Sequence, residues 1–521
     1  MTELTDLVQR ALSEETAAEF DDRVREQAAT LRDEISAGNL DNEAFTLGLE
    51  VEVYAVRGGS ARADGGTTQA LDGMRLARLP DAVFDSAVNK ELGLHNAELN
   101  TDPTAFDEAG LAEQATDLTT QLSTARELAG EEYDVVLDAM WGVPGPEGSD
   151  AYLTDTVTED GVVVAQNMRQ APRYVALDNE ALRLAGGSLD FSVAGFEYAF
   201  PSIIFESLTS SIQPHLQIPA TEEFPQYFAV AIRTMAPLLA LASNSPFLPG
   251  DLYGDVADPE TLVEETAHEL RIAAFEQSMN QTPNRKVRVP DDIDSRTDVV
   301  DAVVEDDRFA PFLEEWVRDP DDDLDFGERF FEYGHARGTF WRWVRCVIGG
   351  DAVDGAADER SMRIEYRPLP TQPTIRDNVG LLALTAGLLR GLVEADHPLP
   401  SLDWDATRES FYDVVDNGLD AEFAWISADG ERTSDPEVVF DEVFEYAREG
   451  LAAQGFDADA RDRYLRPFEA RWEARTAPSD WKKAQVRDNL ADGESLEEAI
   501  VAMQESYVAR SRETESFAEW L

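Results

Sequence analysis

Four short segments place polar side chains at strand spacing where a core is expected. In "FTLGLEVEVYAV", residues 45–56, Glu50 and Glu52 interrupt an apolar run. Residues two apart in a strand share a face, so both carboxylates point the same way. "NKELGLHNAELNTDP" carries Glu91, His95, Glu98 and Asn100. "SSIQPHLQIP" carries Gln213, His215 and Gln217, and "RSMRIEYRPLP" carries Arg363, Glu365 and Arg367. Like charges side by side in a buried strand are costly unless a cation lies between them.

Converging on one sheet face, these groups suit two or three hard cations, with Mg²⁺ or Mn²⁺ the best fit. Arginines beside them suit bidentate recognition of phosphate or carboxylate. Metals and arginines with no protein nucleophile are the equipment of phosphoryl transfer. Each element has an ordinary alternative. An isolated E-x-E is commonly a solvated face, a lone histidine a satisfied structural one, and Arg363 and Arg367 salt-bridge partners for surface acids. Spacing alone does not bring the segments together in space.

The chain that must position them has 521 residues and a formal net charge of −62. With 43% hydrophobic residues it can bury a core, so its acidity is not a mark of disorder. Only four basic residues are lysines: Lys90, Lys286, Lys482 and Lys483. Dense acid, scarce lysine and a single cysteine fit a halophilic protein working in molar salt, where the Debye length is about 3 Å. No basic face is available for nucleic acid. The N-terminus has no basic start or apolar leader and no long uncharged apolar stretch follows, so a cytoplasmic protein without membrane contact is expected. Cys346 is alone and reads as a small buried residue.

Helices are expected over 3–37, 105–129, 222–243, 258–278, 299–318 and 376–396, and through most of the chain after 403. Strands are expected near 45–56, 94–101, 133–148, 207–219 and 361–370. A Gly-rich loop follows the first strand at 57–69. Strands scattered among helices favour an α+β fold with a curved, mostly antiparallel sheet. Neither a Rossmann nor a P-loop motif occurs. Three parts are expected: a helical segment over 1–40, a catalytic domain over 41–400, and a mainly helical region over 401–521. The apolar helix at 376–396 fits either a core or an interface.

In this order the segments resemble the glutamate–cysteine ligase family, carboxylate–amine ligases related to glutamine synthetase. The matching motifs are "GLEVE" at 48–52, Glu91 to Glu98 with "LNTDP", "PRY" at 172–174, "SSIQPHLQIP", and "IEYRPLPTQP". Together they span roughly residues 40–400. The resemblance implies a funnel-shaped antiparallel sheet with helices outside, binding ATP and two or three Mg²⁺ ions. It implies Glu50, Glu52, Glu91, Glu98, His215 and Glu365 as metal ligands, with His95 competing for the place of Glu91. Arg367 and Arg363 fall to phosphate, and Arg173, Gln213 and Asn100 to substrate. Arg367, Arg173 and Glu365 form the implied catalytic set. The implied reaction joins a carboxylate donor, glutamate, to an amine such as cysteine through an acyl phosphate. A guanidino kinase-like phosphotransferase and a non-catalytic binding relative are the alternatives.

Several other features carry ordinary readings. His268-Glu269 is expected on a helix and lacks the second histidine of a zinc site. Arg271 fits an ion pair better than a phosphate contact. His335 sits among aromatics, and Phe340, Trp341 and Trp343 read as core. "DPDDDLDF" at 319–326 reads as a solvated acidic turn. The lysine pair in "SDWKKAQ" fits an anion or subunit contact.

Overall fold

The computed structural model describes residues 2–58, 73–254, 256–318 and 324–521. Most of the Gly-rich loop and most of "DPDDDLDF" lie outside the described residues.

A sheet at the centre has the strand order Val344–Ile348, Met362–Tyr366, Ile212–Gln217, Thr46–Arg57, Asn96–Asn100 and Val88–Lys90. Arg75–Leu76, Thr104–Ala105 and Tyr133–Val136 also pair with the long strand Thr46–Arg57. Every ladder among the described strands is antiparallel, as the α+β reading expects. The period-2 pattern explains how the sheet is used. Leu47, Leu49, Val51 and Val53 alternate with the glutamates and are at most 1% exposed. Leu99, Ile212, Leu216 and Ile364 continue that apolar face on neighbouring strands. Burying each such side chain contributes roughly 1.5–3 kcal/mol. Pro214 sits in an inner strand opposite Leu49, at a position where Leu49 turns both backbone groups to the other neighbour. On the opposite edge of the long strand Thr101 extends the ladder: its N–H donates to the Leu49 carbonyl at 3.1 Å, and its hydroxyl accepts from Leu49 N at 2.9 Å.

Against the apolar face lies the helix Ile375–Glu394, buried on all sides from 377 to 389. It packs on the helix Pro436–Ala453 at glycine contacts. A Cβ on Gly391 would lie 1.9 Å from the Tyr446 carbonyl, and one on Gly450 would lie 1.9 Å from that of Gly387. This helix is therefore core. Helices after 403 close over it, tied by buried pairs: Arg471 to Asp377 at 3.0 Å and Lys482 to Asp138 at 2.6 Å. Lys483 donates to the Thr266 carbonyl at 2.5 Å. The lysine pair is thus an internal anchor, not an anion or subunit contact.

Three expected helices are interrupted. The span 222–243 divides at Thr234 with a bend of 47°. Pro237 cannot donate to the Arg233 carbonyl and its ring crowds it; the Thr234 hydroxyl bonds the Val230 and Ala231 carbonyls instead. The span 258–278 divides into Pro259–Glu265 and Leu270–Met279. His268 and Glu269 lie in that break, where the backbone bridges to Ser245. In the span 299–318 the α-helix covers only Asp298–Glu305, ending as Asp306 turns extended, and a short 3-10 turn follows at Glu314–Trp316; between them Ala310 takes a φ of 43° before Pro311. The strand Val344–Ile348, in "FWRWVRCVIGG", was not among the expected ones. Cys346 lies on its apolar side, and burial pushes the thiol up to about 12. Phe340, Trp341 and Trp343 are core as expected. No single helix is long and apolar enough to cross a membrane among the described residues.

The N-terminal helices are Thr2–Ala11 and Glu14–Ser36, the second capped by Ser13. Glu14–Ser36 grips the helix Phe331–Gly338: Arg23 pairs with buried Glu332 at 2.8 Å, and Gln27 accepts from Tyr333 N at 2.9 Å.

Candidate active site

Antiparallel partners share a face, so the register assembles the site directly. Glu52 stands opposite Glu98, and Glu98 opposite Asn89. Glu50 lies between Asn100 and Gln213. Gly48, His215, Glu365 and Arg345 form the next row, and Gln217 with Arg363 the one after. All four sequence segments therefore meet on one polar face.

Glu91 and His95, which spacing could not separate, part company at the turn between the two outer strands. Glu91 lies with the carboxylates, and burial followed by the charge of Glu52 pushes it up to about 8. His95 turns away and is fully buried, with Nδ1 2.9 Å from the Tyr152 hydroxyl and Nε2 2.9 Å from the Ser207 carbonyl. Burial pulls it down to about 3. It is a structural histidine.

The face divides into two electrostatic zones. In the first, burial raises Glu52, although Ser211 N donates to it at 2.6 Å and Arg271 and Arg367 pull the other way. Burial and the neighbouring charges of Glu50, Glu91 and Glu52 hold Glu98 well above the usual carboxylate range. These groups repel one another. Glu206 joins them from the turn Ile203–Leu208, pushed up to about 8 by burial, Glu91 and Glu52. Tyr174, next to Arg173, is raised chiefly by the charge of Glu91.

The second zone is neutralised. Arg345 holds both oxygens of Glu365 at 2.8 Å, and Arg367 bonds both Glu365 and Gln213. Burial opposes ionisation of Glu365, yet these arginines hold it well below the usual range. His215 lies between Glu50 and Arg363: its Nε2 is 3.1 Å from Glu50, and Arg363 Nε donates to its Nδ1 at 3.1 Å. The accepting Nδ1 places the ring proton on Nε2, facing Glu50. Burial opposes ionisation of Glu50, but His215 brings its carboxyl below the ordinary value. Gly350 has a φ of 134°, and a Cβ there would lie 2.1 Å from Arg363 Nη1. Only glycine lets that guanidinium lie flat and reach the Gly349 carbonyl.

Arg173 lies beyond Glu91 and donates to the Gly338 carbonyl at 3.3 Å. Arg271 is buried behind the face, bonded to Glu269 at 3.1 Å and to the Pro368 carbonyl. His335 bonds the Ala310 carbonyl at 2.8 Å and is pulled down to about 4 by burial.

Over the polar face is a cavity of about 190 Å³, lined by Glu50, Asn100, His215, Gln217 and Arg363 among others. Asn100 Oδ1, Arg367 Nε and both amide atoms of Gln217 are buried without a partner. Such orphans are expensive unless a ligand satisfies them. Oxygen donors, mutual repulsion and orphaned amides fit a hard divalent cation and a polar ligand. As the side chains stand, no group of three or more His, Cys, Asp or Glu is arranged to hold a metal among the described residues. His215 has its lone pair occupied by Arg363, and Glu365 is taken by arginines. Glu52, Glu91 and Glu98 are the carboxylates most open to a cation.

Sequence reasoning missed Arg345 and Glu206. Arg345 is a charge within an apolar strand. Glu206 is the only acid between Glu197 and Glu222, in an otherwise apolar and hydroxyl-rich stretch.

Comparison with known proteins bears on the fold and family. Among solved structures, the chain is similar to glutamate–cysteine ligase from Francisella tularensis, solved with AMP. Identity is 12%, coverage is 91% of this chain and 90% of that one, and the TM-score is 0.49. It is similar to a bifunctional glutathione synthetase from Pasteurella multocida at 15% identity and a TM-score of 0.49, covering 93% of this chain but 55% of that one. It is also similar to the ligase PafA, solved with the ubiquitin-like protein Pup, at 11% identity, 90% and 82% coverage and a TM-score of 0.36. No curated protein matches the sequence. The model of glutamate-cysteine ligase family 2 matches residues 46–502, past the point near 400 where the motif resemblance ends. With all the motif strands and most of the chain inside that match, the protein belongs to glutamate-cysteine ligase family 2, a family of carboxylate–amine ligases.

Proposed function

We propose that the chain is an ATP- and Mg²⁺-dependent ligase joining glutamate to cysteine or a related amine. Glutamate, amine and ATP would give the amide, ADP and phosphate. The observation that carries this reading is the face shared by Glu52, Glu91, Glu98 and Arg367: buried acids that raise one another's pKa, beside an arginine held by Glu365.

Glu52, Glu91 and Glu98 would hold a divalent cation, Mg²⁺ or Mn²⁺. Such a cation, when bound, neutralises phosphate oxygens and orients them for transfer. Glu50, His215 and Glu365 would complete the ligand set. For that, Arg363 must leave His215 Nδ1, which lets the ring proton move there and frees Nε2. A phosphate offers Arg363 a stronger, charge-assisted partner than a neutral imidazole. Arg367, fixed by Glu365 and Gln213, would meet the transferred phosphoryl group, and Arg345 would keep Glu365 ionised. Asn100 and Gln217 would satisfy polar groups of the bound substrates. The amine nitrogen would form the new C–N bond as the acyl–phosphate C–O bond breaks, its proton passing to solvent or a site carboxylate.

The test is turnover by purified protein in molar KCl with ATP, Mg²⁺ and glutamate, with and without cysteine. Amine-dependent phosphate release with a new amide by mass spectrometry is expected. A stable phosphorylated product would favour the phosphotransferase instead. Turnover that survives Glu52→Ala and Glu98→Ala unchanged would remove these carboxylates from the site.

A further inference from the structure

The helix Phe331–Gly338 has no cap of its own: Phe330, at the cap position, makes no side-chain hydrogen bond to it. The first N–H groups of a helix lack partners within it and need them from outside. Here the helix Glu14–Ser36 supplies one from 306 residues away along the chain. Gln27 Oε1 accepts from Tyr333 N at 2.9 Å, and Gln27 Nε2 donates to Glu332 at 2.7 Å. Glu332 is 1% exposed and also accepts from Arg23 at 2.8 Å and from Glu314 N at 3.1 Å. A buried carboxylate with three donors is held in one place. Its charge in the first turn also suits the positive end of the helix dipole. The other end of the same helix meets the arginines of the site. Arg345 Nη1 donates to the Arg337 carbonyl at 3.0 Å, while its Nε and Nη2 hold Glu365. Arg173 Nη2 donates to the Gly338 carbonyl at 3.3 Å. Guanidiniums suit the negative end of the dipole.

We infer that Gln27 and Glu332 are positioning residues for the site. Together they cap the helix Phe331–Gly338, and the far end of that helix sets Arg345. Arg345 orients Glu365, and Glu365 in turn holds Arg367. The helix has only 8 residues, so a tilt at its first turn carries its last carbonyls with it. Neither Gln27 nor Glu332 touches substrate. The inference rests on the ligase reading above, in which Arg367 meets the transferred phosphoryl group. Loosening the cap therefore slows transfer and leaves nucleotide binding alone. Gln27 and Arg23 precede residue 46, where the family match begins. The N-terminal helix is thus a working part of the site although it lies outside that match.

Three variants of the full-length protein test this. Gln27→Met keeps the side-chain length and removes both hydrogen bonds. Gln27→Glu with Glu332→Gln exchanges the two side chains, keeping an acceptor for Tyr333 N and a hydrogen bond between the two positions. Arg32→Gln is the control: Arg32 lies on the same helix but pairs with Asp301 at 2.6 Å, on the helix Asp298–Glu305. Each is assayed in molar KCl with ATP, Mg²⁺, glutamate and cysteine. A single turnover with enzyme in excess gives a rate constant that does not depend on the fraction of enzyme folded. Gln27→Met should lower that constant by about tenfold to a hundredfold, with KM for ATP unchanged. The exchanged pair should recover most of the loss, and Arg32→Gln should show none. If Gln27→Met does not fold, Gln27→Asn, too short to reach both partners, takes its place. A second measurement needs no turnover. The Arg345 Nε–H resonance in protein with isotope-labelled arginine, assigned by its loss in Arg345→Lys, is shielded from exchange by Glu365. It should be lost to exchange with water in Gln27→Met and kept in Arg32→Gln. An unchanged rate constant, a loss confined to KM for ATP, equal losses in Gln27→Met and Arg32→Gln, or an unchanged resonance overturns the inference. Absence of turnover with every amine in the unaltered protein counts against the ligase reading, and the resonance alone then decides the positioning role.

Discussion

Arg345 and Glu365 stand directly opposite each other on neighbouring strands, and the guanidinium holds both carboxylate oxygens at 2.8 Å. The pair is almost wholly buried, with Glu365 2% and Arg345 8% exposed. Burial lowers Arg345 to about 10, with Glu365 pulling it back up. The pair fixes the charge state of the site's inner row before any ligand arrives.

Breaking that pair from one side should be costly. Arg345→Met leaves an ionised carboxylate buried with less compensation and should destabilise the protein by about 3–5 kcal/mol. Arg345→Met with Glu365→Gln should recover only part of that stability, because it removes the unpaired carboxylate but leaves Arg367 without its partner. Activity should be lost in the double variant, since Arg367 there loses the carboxylate that orients it. Denaturant unfolding in molar KCl checks the stability, and amide formation checks the activity.

The C-terminal anchor should behave alike and yet be insensitive to salt. Lys482 bonds Asp138 at 2.6 Å and the Asn244 carbonyl at 2.7 Å, and Asp138 also accepts from Gln504 at 2.8 Å and Tyr54 at 3.2 Å. Lys482→Met should cost about 3–5 kcal/mol. The loss should be nearly equal at 1 M and 3 M KCl, because screening acts on exposed charges. A loss that shrinks strongly with salt would mean that the pair is open to solvent. The thermal midpoint at each salt concentration reads this directly.

The polar face was legible because strand geometry turns sequence spacing into position. Glu50 with Glu52, and Arg363 with Glu365 and Arg367, needed only the rule that residues two apart share a face. Glu206 and Arg345 were not legible in the same way. Glu206 reaches the site from a short turn, and Arg345 from an edge strand, where it pairs with Glu365 across an intervening loop; only tertiary pairing gives them meaning. Glu91 and His95 were both polar residues near one turn, and no periodicity says which side chain a turn sends inward. The interrupted helices show local signals prevailing over an apolar pattern that continued past them. Pro237 and Pro311 stood in the sequence, but the apolar pattern continued across them.

His95 should make stability depend on pH. Its folded value near 3 lies below the ordinary 6.5. Between those values the unfolded chain binds the proton and the folded one does not, so stability falls as pH drops through that window. The slope from this group is at most about 1.4 kcal/mol per pH unit. His268 and His335 act in the same direction, to about 3 and 4. His95→Gln should be less stable at pH 7, through loss of packing and of one ring hydrogen bond. The gap to the unaltered protein should narrow steadily from pH 6.5 to 4.5. A constant gap across that range would show that His95 already ionises freely when folded.

Cation binding should carry the opposite pH signature at the carboxylate end. Glu91 titrates near 8 because it is buried beside Glu52, so a divalent ion must displace a proton to bind it below that pH. Each displaced proton strengthens apparent affinity by up to about tenfold per pH unit as pH rises toward 8. Mn²⁺ affinity, read by electron paramagnetic resonance without nucleotide, should therefore rise between pH 6 and 8 and level off above. Calorimetry in buffers of different ionisation enthalpy should count the protons released. Without a cation, the folded chain holds more protons than the unfolded one between about pH 4.5 and 8, so this group makes the protein less stable as pH rises. Mn²⁺ should accordingly raise the thermal midpoint more at pH 8 than at pH 6. Glu91→Gln should flatten both trends, because its amide has no proton to lose. If Mn²⁺ bound equally well at pH 6 and pH 8 with no proton release, the ion would be held somewhere other than among Glu52, Glu91 and Glu98.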